Sequence, residues 1–329
     1  MYDHIIIDSH NLAYTVFYSP NLKEENSSKI LKMNERRLFP YFIKNYLDTI
    51  KMLKAEYLKP DGEITLLFDN HHSREEIKKL LKPLKMSENR RKVNPLYKSK
   101  RKPESMEFYN SIEQIRYLMC ISEPMYHTGR IPNLEADDLV KPVIDLVREI
   151  KPDATVLLVT NDSDWCRYLD EGTQYLPKLF DSPLGVESFK EKNGFDPQIE
   201  KVILYKVLYG DDADNIEAVF PEFDKETRKY ILNTFDSTAD FLVLGSLDDN
   251  LKAYSDSISA KLPQVKIAWQ VLSAVPVSME HMKKRWTIGR SALGLKDSME
   301  KAMFEAGTPL KTKGFSFGGE KIPRQTPNT

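Results

Sequence analysis

His4-Ile5-Ile6-Ile7-Asp8, near the start of the chain, is a short apolar run that ends on an acid. Thr65-Leu66-Leu67-Phe68-Asp69 repeats the pattern, and Val156-Leu157-Leu158-Val159-Thr160-Asn161-Asp162 repeats it again, with Asp164 two residues on. Runs this short, apolar and rich in Ile, Leu and Val read as strands buried on both faces. The strand candidates are His4–Asp8, Glu63–Asp69, Pro124–Thr128 and Thr155–Thr160, with a further one near 173–178. Stretches near 36–57, 104–121 and 134–150 read as helices between them. Strands alternating with helices imply right-handed crossovers and an α/β fold with a mostly parallel central sheet flanked by helices.

After about residue 195 the pattern changes. Segments 197–209, 224–235, 237–244, 248–261 and 264–275 read as helical, which predicts a helical subdomain over 196–309 following a first domain over 1–195. Pro142 lies inside a helical pattern and is expected to kink or divide that helix. Residues 310–329 hold three glycines, two prolines, four basic residues and one acid, the composition of a disordered basic tail. No internal repeat is visible.

Composition excludes several classes. The chain has 329 residues, 41% of them hydrophobic, and only two cysteines, Cys120 and Cys166. Neither cysteine has a partner at zinc-ligand spacing, and this usage suits a reducing cytoplasm, the host's if the chain is phage-encoded. No apolar stretch approaches the roughly 18 residues of a membrane span. The net charge is -1, but residues 71–102 contain twelve Lys or Arg and three acids, so this segment is +9 and the remainder -10. Such a segment reads either as a solvated helix face or as a surface for a polyanion.

Parallel strands bring their carboxyl ends to one edge, and in open α/β sheets ligands bind there, near the switch in strand order. Asp8, Asp69 and Asp162 are therefore expected to approach one another. A single aspartate after a strand is usually a turn or cap residue. Three on one edge repel and raise each other's pKa, and need cations to neutralise them; all-oxygen ligands favour Mg²⁺ or Mn²⁺ over zinc. Asn133-Leu134-Glu135-Ala136-Asp137-Asp138 opens a predicted helix, where acids complement the helix dipole; Glu135 and Asp138 share a face, and Asp137 points elsewhere. Gly210-Asp211-Asp212-Ala213-Asp214-Asn215-Ile216 reads on its own as a polar turn with a helix cap.

Together these motifs resemble the flap endonuclease and 5'-to-3' exonuclease superfamily, built on a PIN-like domain. IIIDSHNLAY, LLFDN, YKSKR at 97–101, EADD at 135–138, TNDSD at 160–164 and GDDADNI at 210–216 follow the order of that family's motifs. The resemblance implies two Mg²⁺ ions, with Mn²⁺ able to substitute, hydrolysing phosphodiesters to 5'-phosphate and 3'-hydroxyl ends. Carried over, it assigns Asp8, Asp69, Glu135 and Asp137 to the first metal, and Asp138, Asp162, Asp164, Asp211 and Asp214 to the second, with Asp137 between the two. Asp8, Asp69, Asp137 and Asp162 would form the catalytic centre, together with Lys98 on the scissile phosphate and Arg101 beside it. Arg90, Arg91, Tyr97, Lys98, Lys100 and Arg101 would contact nucleic acid, with 71–102 as the arch over a single-stranded 5' end. Tyr97 stays open between a base-stacking ring and a core residue.

One departure concerns the helix–three-turn–helix. The family's glycine-rich turn after GDxxDN is replaced by IEAVFPEFDKETRKYIL, with no glycine from Ile216 to Leu232. Divergent phage 5'-nucleases of the RNase H type are similar in this respect. Lys225 and Arg228, with Lys229, are candidates to hold duplex phosphate instead. The expected partners are branched, flapped or nicked DNA and RNA–DNA hybrid, with a single-strand-binding protein as a further candidate; the chain is expected to be monomeric and away from membranes. The leading function is removal of RNA primers or 5' flaps. The alternatives are a PIN-type ribonuclease, which has a smaller acidic set, and a non-catalytic DNA-binding scaffold, which predicts missing acids.

Overall fold

The structure is a computed structural model that describes residues 1–18, 35–69, 88–100, 106–122, 126–129, 134–179, 181–274 and 277. Five strands form one parallel sheet: β1 (Tyr2–Asp8), β2 (Leu58–Leu67), β3 (Tyr126–Gly129), β4 (Val156–Val159) and β5 (Thr173–Leu176). Their order is β3-β2-β1-β4-β5. The chain thus builds outward from β1 on one side, then returns to its other side, placing the switch point between β1 and β4.

Alternation along the strands divides the core. Ile5, Ile7, Ile64, Leu66, Leu157 and Val159 face α1 (Ser9–Phe17), α2 (Glu35–Tyr57) and α4 (Met106–Ser122). Ile6, Leu67, Val156 and Leu158 face the opposite side, where α5 (Ala136–Ile150) and the 3-10 turn Ser163–Tyr168 pack. A short α3 (Glu88–Val93) precedes α4. The expected division at Pro142 does not occur: α5 is one helix. Pro142 and its neighbours Leu139, Val140, Val143 and Ile144 are all buried. That packing offsets the roughly 3 kcal/mol a proline costs within a helix.

Beyond β5 come α6 (Val186–Asn193), α7 (Ile199–Tyr209), α8 (Lys225–Thr234), α9 (Thr238–Leu244), α10 (Ser255–Ala260) and α11 (Leu262–Leu272). The stretch expected as one helix over 248–261 is a 3-10 turn, Asp249–Tyr254, followed by α10. Ile203, Val207, Phe220, Phe241 and Val265 join Trp165 and Leu158 in one apolar core, so the core crosses residue 195 without a break. Among the described residues, no helix is long and apolar enough to cross a membrane. Most of the segment expected to form the arch, Arg101, the side chain of Arg91 and the expected tail lie outside the described residues.

Candidate active site

Asp8 ends β1, Asp69 lies two residues past β2, and Asp162 lies three past β4. Each begins with the ordinary task of a strand-end aspartate. Asp8 caps α1 by accepting the Asn11 N–H at 3.0 Å. Asp162 caps the 3-10 turn by accepting the Asp164 N–H at 3.0 Å. Asp69 accepts the first amide of α5, the Ala136 N–H, at 2.9 Å. Helical N-termini carry partial positive charge, so these caps aim favourable dipoles at one place. Asp137, in the first turn of α5, accepts the Trp165 Nε1–H at 2.7 Å.

The dipoles do not neutralise the cluster. Burial, then the charges of Asp69, Asp137 and Asp162, push the Asp8 carboxyl well above the ordinary range. Burial and the Glu135 charge push Asp69 up to about 7, against the pull of Lys98. Burial and Asp137 push Asp162 up to about 7, against Lys206. Three buried acids raised in this way, with the Asp137 carboxylate among them, form a site short of positive charge.

The flanking acids differ because the chain supplies their cations. Glu135 Oε2 receives Arg90 Nη1 at 2.7 Å, Lys98 Nζ at 2.8 Å and the Tyr97 hydroxyl at 3.2 Å. Asp138 Oδ1 receives Arg90 Nη2 at 2.7 Å, and Asp138 Oδ2 receives the Glu135 N–H at 3.0 Å. Lys98 Nζ also lies 3.8 Å from Asp214. On the other flank, Asp164, Asp211 and Asp214 each place a carboxylate oxygen within 4.8 Å of the others. Lys206 from α7 enters this group: its ammonium pairs with Asp164 and lies 2.5 Å from Asp211. Burial works against ionisation of Asp211, but Lys206 outweighs it and holds the carboxyl below its usual range.

All nine sequence-predicted acids thus lie in or beside one centre at the switch point. The basic candidates separate. Lys98 points into the centre. Arg90, 7% exposed, points into the protein. Tyr97 is also buried, with its hydroxyl on Glu135. The Lys100 side chain is exposed. Lys225 and Lys229 are exposed on α8, while Arg228 lies over the Tyr209 ring at 4.8 Å and donates to the Phe220 carbonyl at 3.2 Å. Sequence reasoning missed Lys206. Its signal was a cation five residues before Asp211, in the last turn of a helix whose other charged residues, Glu200 and Lys201, lie in the first turn.

Acids crowded at a switch point, with a lysine projecting among them, suit a polyanionic ligand cut with the help of cations, which is the character of a nuclease. Residues 3–194 match the model of the 5'-3' exonuclease N-terminal resolvase-like domain. The chain belongs to that family of 5'-nucleases. No curated protein matches it at a significant level.

Solved structures share the fold. A bacteriophage T5 protein co-crystallised with metal ions is 18% identical, with 92% of this chain and 97% of that one covered and a TM-score of 0.57. The bacteriophage T5 flap endonuclease, in a pseudo-enzyme–product complex with DNA and metal ions, is 19% identical over 92% and 97% of the two chains, with a TM-score of 0.58. The T5 5'-exonuclease with bound zinc is 20% identical over 87% and 97%, with a TM-score of 0.56.

Proposed function

We propose that this chain is a divalent-metal-dependent 5'-to-3' exonuclease and flap endonuclease. It would hydrolyse phosphodiesters in flapped, nicked or branched DNA and in RNA–DNA hybrids, removing RNA primers or 5' flaps during replication. The observation that carries this reading is the convergence of Asp8, Asp69, Asp137 and Asp162 at the switch point beside Lys98.

The donor set fits a hard cation. It is all oxygen, and burial together with neighbouring acids raises the carboxyls of Asp8, Asp69 and Asp162. Asp8, Asp69, Glu135 and Asp137 would hold one Mg²⁺ or Mn²⁺ ion, and Asp138, Asp162, Asp164, Asp211 and Asp214 a second. When bound, such ions supply a hydroxide nucleophile near neutral pH and stabilise an in-line displacement. In that displacement a water oxygen bonds to phosphorus, the bond to the 3' oxygen breaks and that oxygen takes up a proton. The products are a 5'-phosphate and a 3'-hydroxyl.

The chain's own residues position the substrate. The Lys98 ammonium meets the scissile phosphate as its charge grows. Arg91, Lys100 and Arg101 hold neighbouring phosphates, as guanidinium and ammonium groups do. The part that follows residue 195 holds duplex through the exposed Lys225 and Lys229 in place of a glycine-rich turn, and the segment 310–329 is left to meet a single-strand-binding protein.

A time course with Mg²⁺ on 5'-labelled flap, nicked duplex and RNA–DNA hybrid tests the reading, with product lengths separating exonuclease from flap cleavage. Asp162→Asn is expected to abolish cleavage while keeping DNA affinity. Wild-type cleavage by that variant, or cleavage in excess chelator, would overturn it. Binding to all three substrates with no cleavage would favour the scaffold alternative.

A further inference from the structure

Among the described residues, two other than glycine occupy the left-handed region, Lys98 at φ 52° and Asn215 at φ 57°. They belong to two turns that are bonded to each other. The Lys98 N–H donates to the Asp214 carbonyl at 3.1 Å. The Lys100 N–H donates to the Asn215 side-chain oxygen, Oδ1, at 3.0 Å. A left-handed lysine is sterically disfavoured, because its Cβ crowds the carbonyl, whereas asparagine visits this region readily. The lysine turn is therefore bent against its own preference, and bonds from the asparagine turn hold it there.

The asparagine turn is itself firmly built. Asp211 and Ile216 exchange backbone hydrogen bonds at 2.7 and 2.9 Å. Asp211 Oδ1 accepts the amides of Ala213 at 2.9 Å and Asp214 at 3.2 Å. A rigid turn thus grips a strained one, and the strained one carries Lys98, whose ammonium lies 2.8 Å from Glu135 and 3.8 Å from Asp214.

We infer that Asn215 is a positioning residue for Lys98. By holding the Lys100 amide, its side-chain oxygen keeps the 95–100 turn docked on the 211–216 turn and so aims the Lys98 ammonium into the acidic centre. Asn215 acts through the backbone of its neighbour turn and not on the substrate. The inference rests on the reading of Lys98 as the group that meets the scissile phosphate. It explains why an asparagine follows Asp214: glycine would accept the backbone angle without supplying the acceptor, and alanine would supply neither.

The experiment uses the full chain as wild type, N215G, N215D, K98M and the N215G/K98M double variant. N215D keeps both the acceptor and the tolerance for a positive φ. Cleavage of a 5'-flap substrate in Mg²⁺ is expected to show N215G losing about tenfold in kcat with KM little changed, the pattern of an interaction made in the transition state. N215D should recover most of that loss, N215G should cost nothing further in the K98M background, and melting temperatures should stay together. Hydrogen exchange should quicken at the Lys98 and Lys100 amides in N215G and not in N215D. Multiplying effects of N215G and K98M, or N215D as slow as N215G, would overturn the inference. So would unchanged exchange at the two amides, whether or not the chain cleaves DNA. Quickened exchange in N215G, beside a wild type that cuts none of the substrates, would leave the positioning intact and count against the nuclease reading alone.

Discussion

Replacing Arg90 with methionine separates two roles for the base of the basic segment. The guanidinium sits between Glu135 and Asp138, at 2.7 Å from each, and reaches the Ser273 carbonyl at 3.5 Å. The three charged side chains are 7%, 3% and 2% exposed. Burial alone would lower the guanidinium pKa, but Glu135 and then Asp138 outweigh it and hold the group firmly charged. Removing one partner of a buried ion pair costs roughly 3–5 kcal/mol. Here Glu135 keeps Lys98 and Tyr97, and Asp138 keeps the Glu135 amide, so the lower end applies, about 3 kcal/mol. In a chain of this size each kcal/mol shifts the melting temperature by roughly 2–4 °C. Urea denaturation reads the loss directly. Flap-DNA affinity, measured across a salt series with Ca²⁺ in place of Mg²⁺, reads the other role. An arginine on a phosphate contributes about 0.9 to the slope of log affinity against log salt. The structure predicts a large fall in stability and an unchanged slope. A slope lower by about one, with the urea midpoint unmoved, would refute the assignment of Arg90 as an internal strut.

Gly210 adopts φ 81° and ψ 177°, and a Cβ there would lie 2.8 Å from the Ala218 nitrogen and 2.9 Å from the Ile216 oxygen. Gly210→Ala should therefore cost about 3 kcal/mol or more from strain and backbone overlap, and a wild-type urea midpoint would contradict this. Asp3 joins three elements beneath the sheet, accepting Lys151 at 2.5 Å, Lys59 at 2.8 Å and the Thr155 amide at 2.9 Å. Burial opposes its ionisation, but these bonds outweigh it and hold the carboxyl below its usual range. Its stabilisation is complete above the unfolded value of about 3.9 and fades as pH falls through the folded one. Asp3→Asn should lose about 2 kcal/mol at pH 7, with the gap to wild type closing below about pH 4; a constant gap in acid unfolding would count against it. Lys206→Met removes the internal ammonium from Asp164 and Asp211. The metal-free variant should melt lower than wild type and gain more from added Mn²⁺, and an equal Mn²⁺ gain in both proteins would show that Lys206 does not compete for that site.

The sheet was readable because its strands are apolar on both faces and each central one stops at an acid. The edges were less so. β2 starts at Leu58, ahead of the expected Glu63; the polar stretch Lys59-Pro60-Asp61-Gly62 breaks the apolar run, and an irregular register absorbs it, pairing Tyr2 with Leu58 and then His4 with Glu63. Helix α1 was missed although Asp8 caps it and Leu12, Ala13 and Val16 give it a buried face. The acid that reads as a ligand is also the cap of the helix, and the same side chain performs both tasks. Arg90 was grouped with its basic neighbours because charge counts carry no direction; only its reach to Glu135 and Asp138, some forty-five residues on, shows that it faces inward.

What the structure adds to the motifs is a division of the acids by the charge that balances them. Glu135 and Asp138 have Arg90 and Lys98, while Asp164 and Asp211 have Lys206. Asp8, Asp69 and Asp162 instead carry raised pKa values, from burial first and then from the charges of neighbouring acids. A whole buried ion pair contributes little net stability over an apolar contact, although removing one partner alone is costly, so what Arg90 and Lys206 add beyond an apolar core is fixed geometry. Each anchors acids at the margin of the centre and leaves the negative charge concentrated between them. A cation from solution gains most in that middle ground, and the phosphate it would draw in arrives where Lys98 already points.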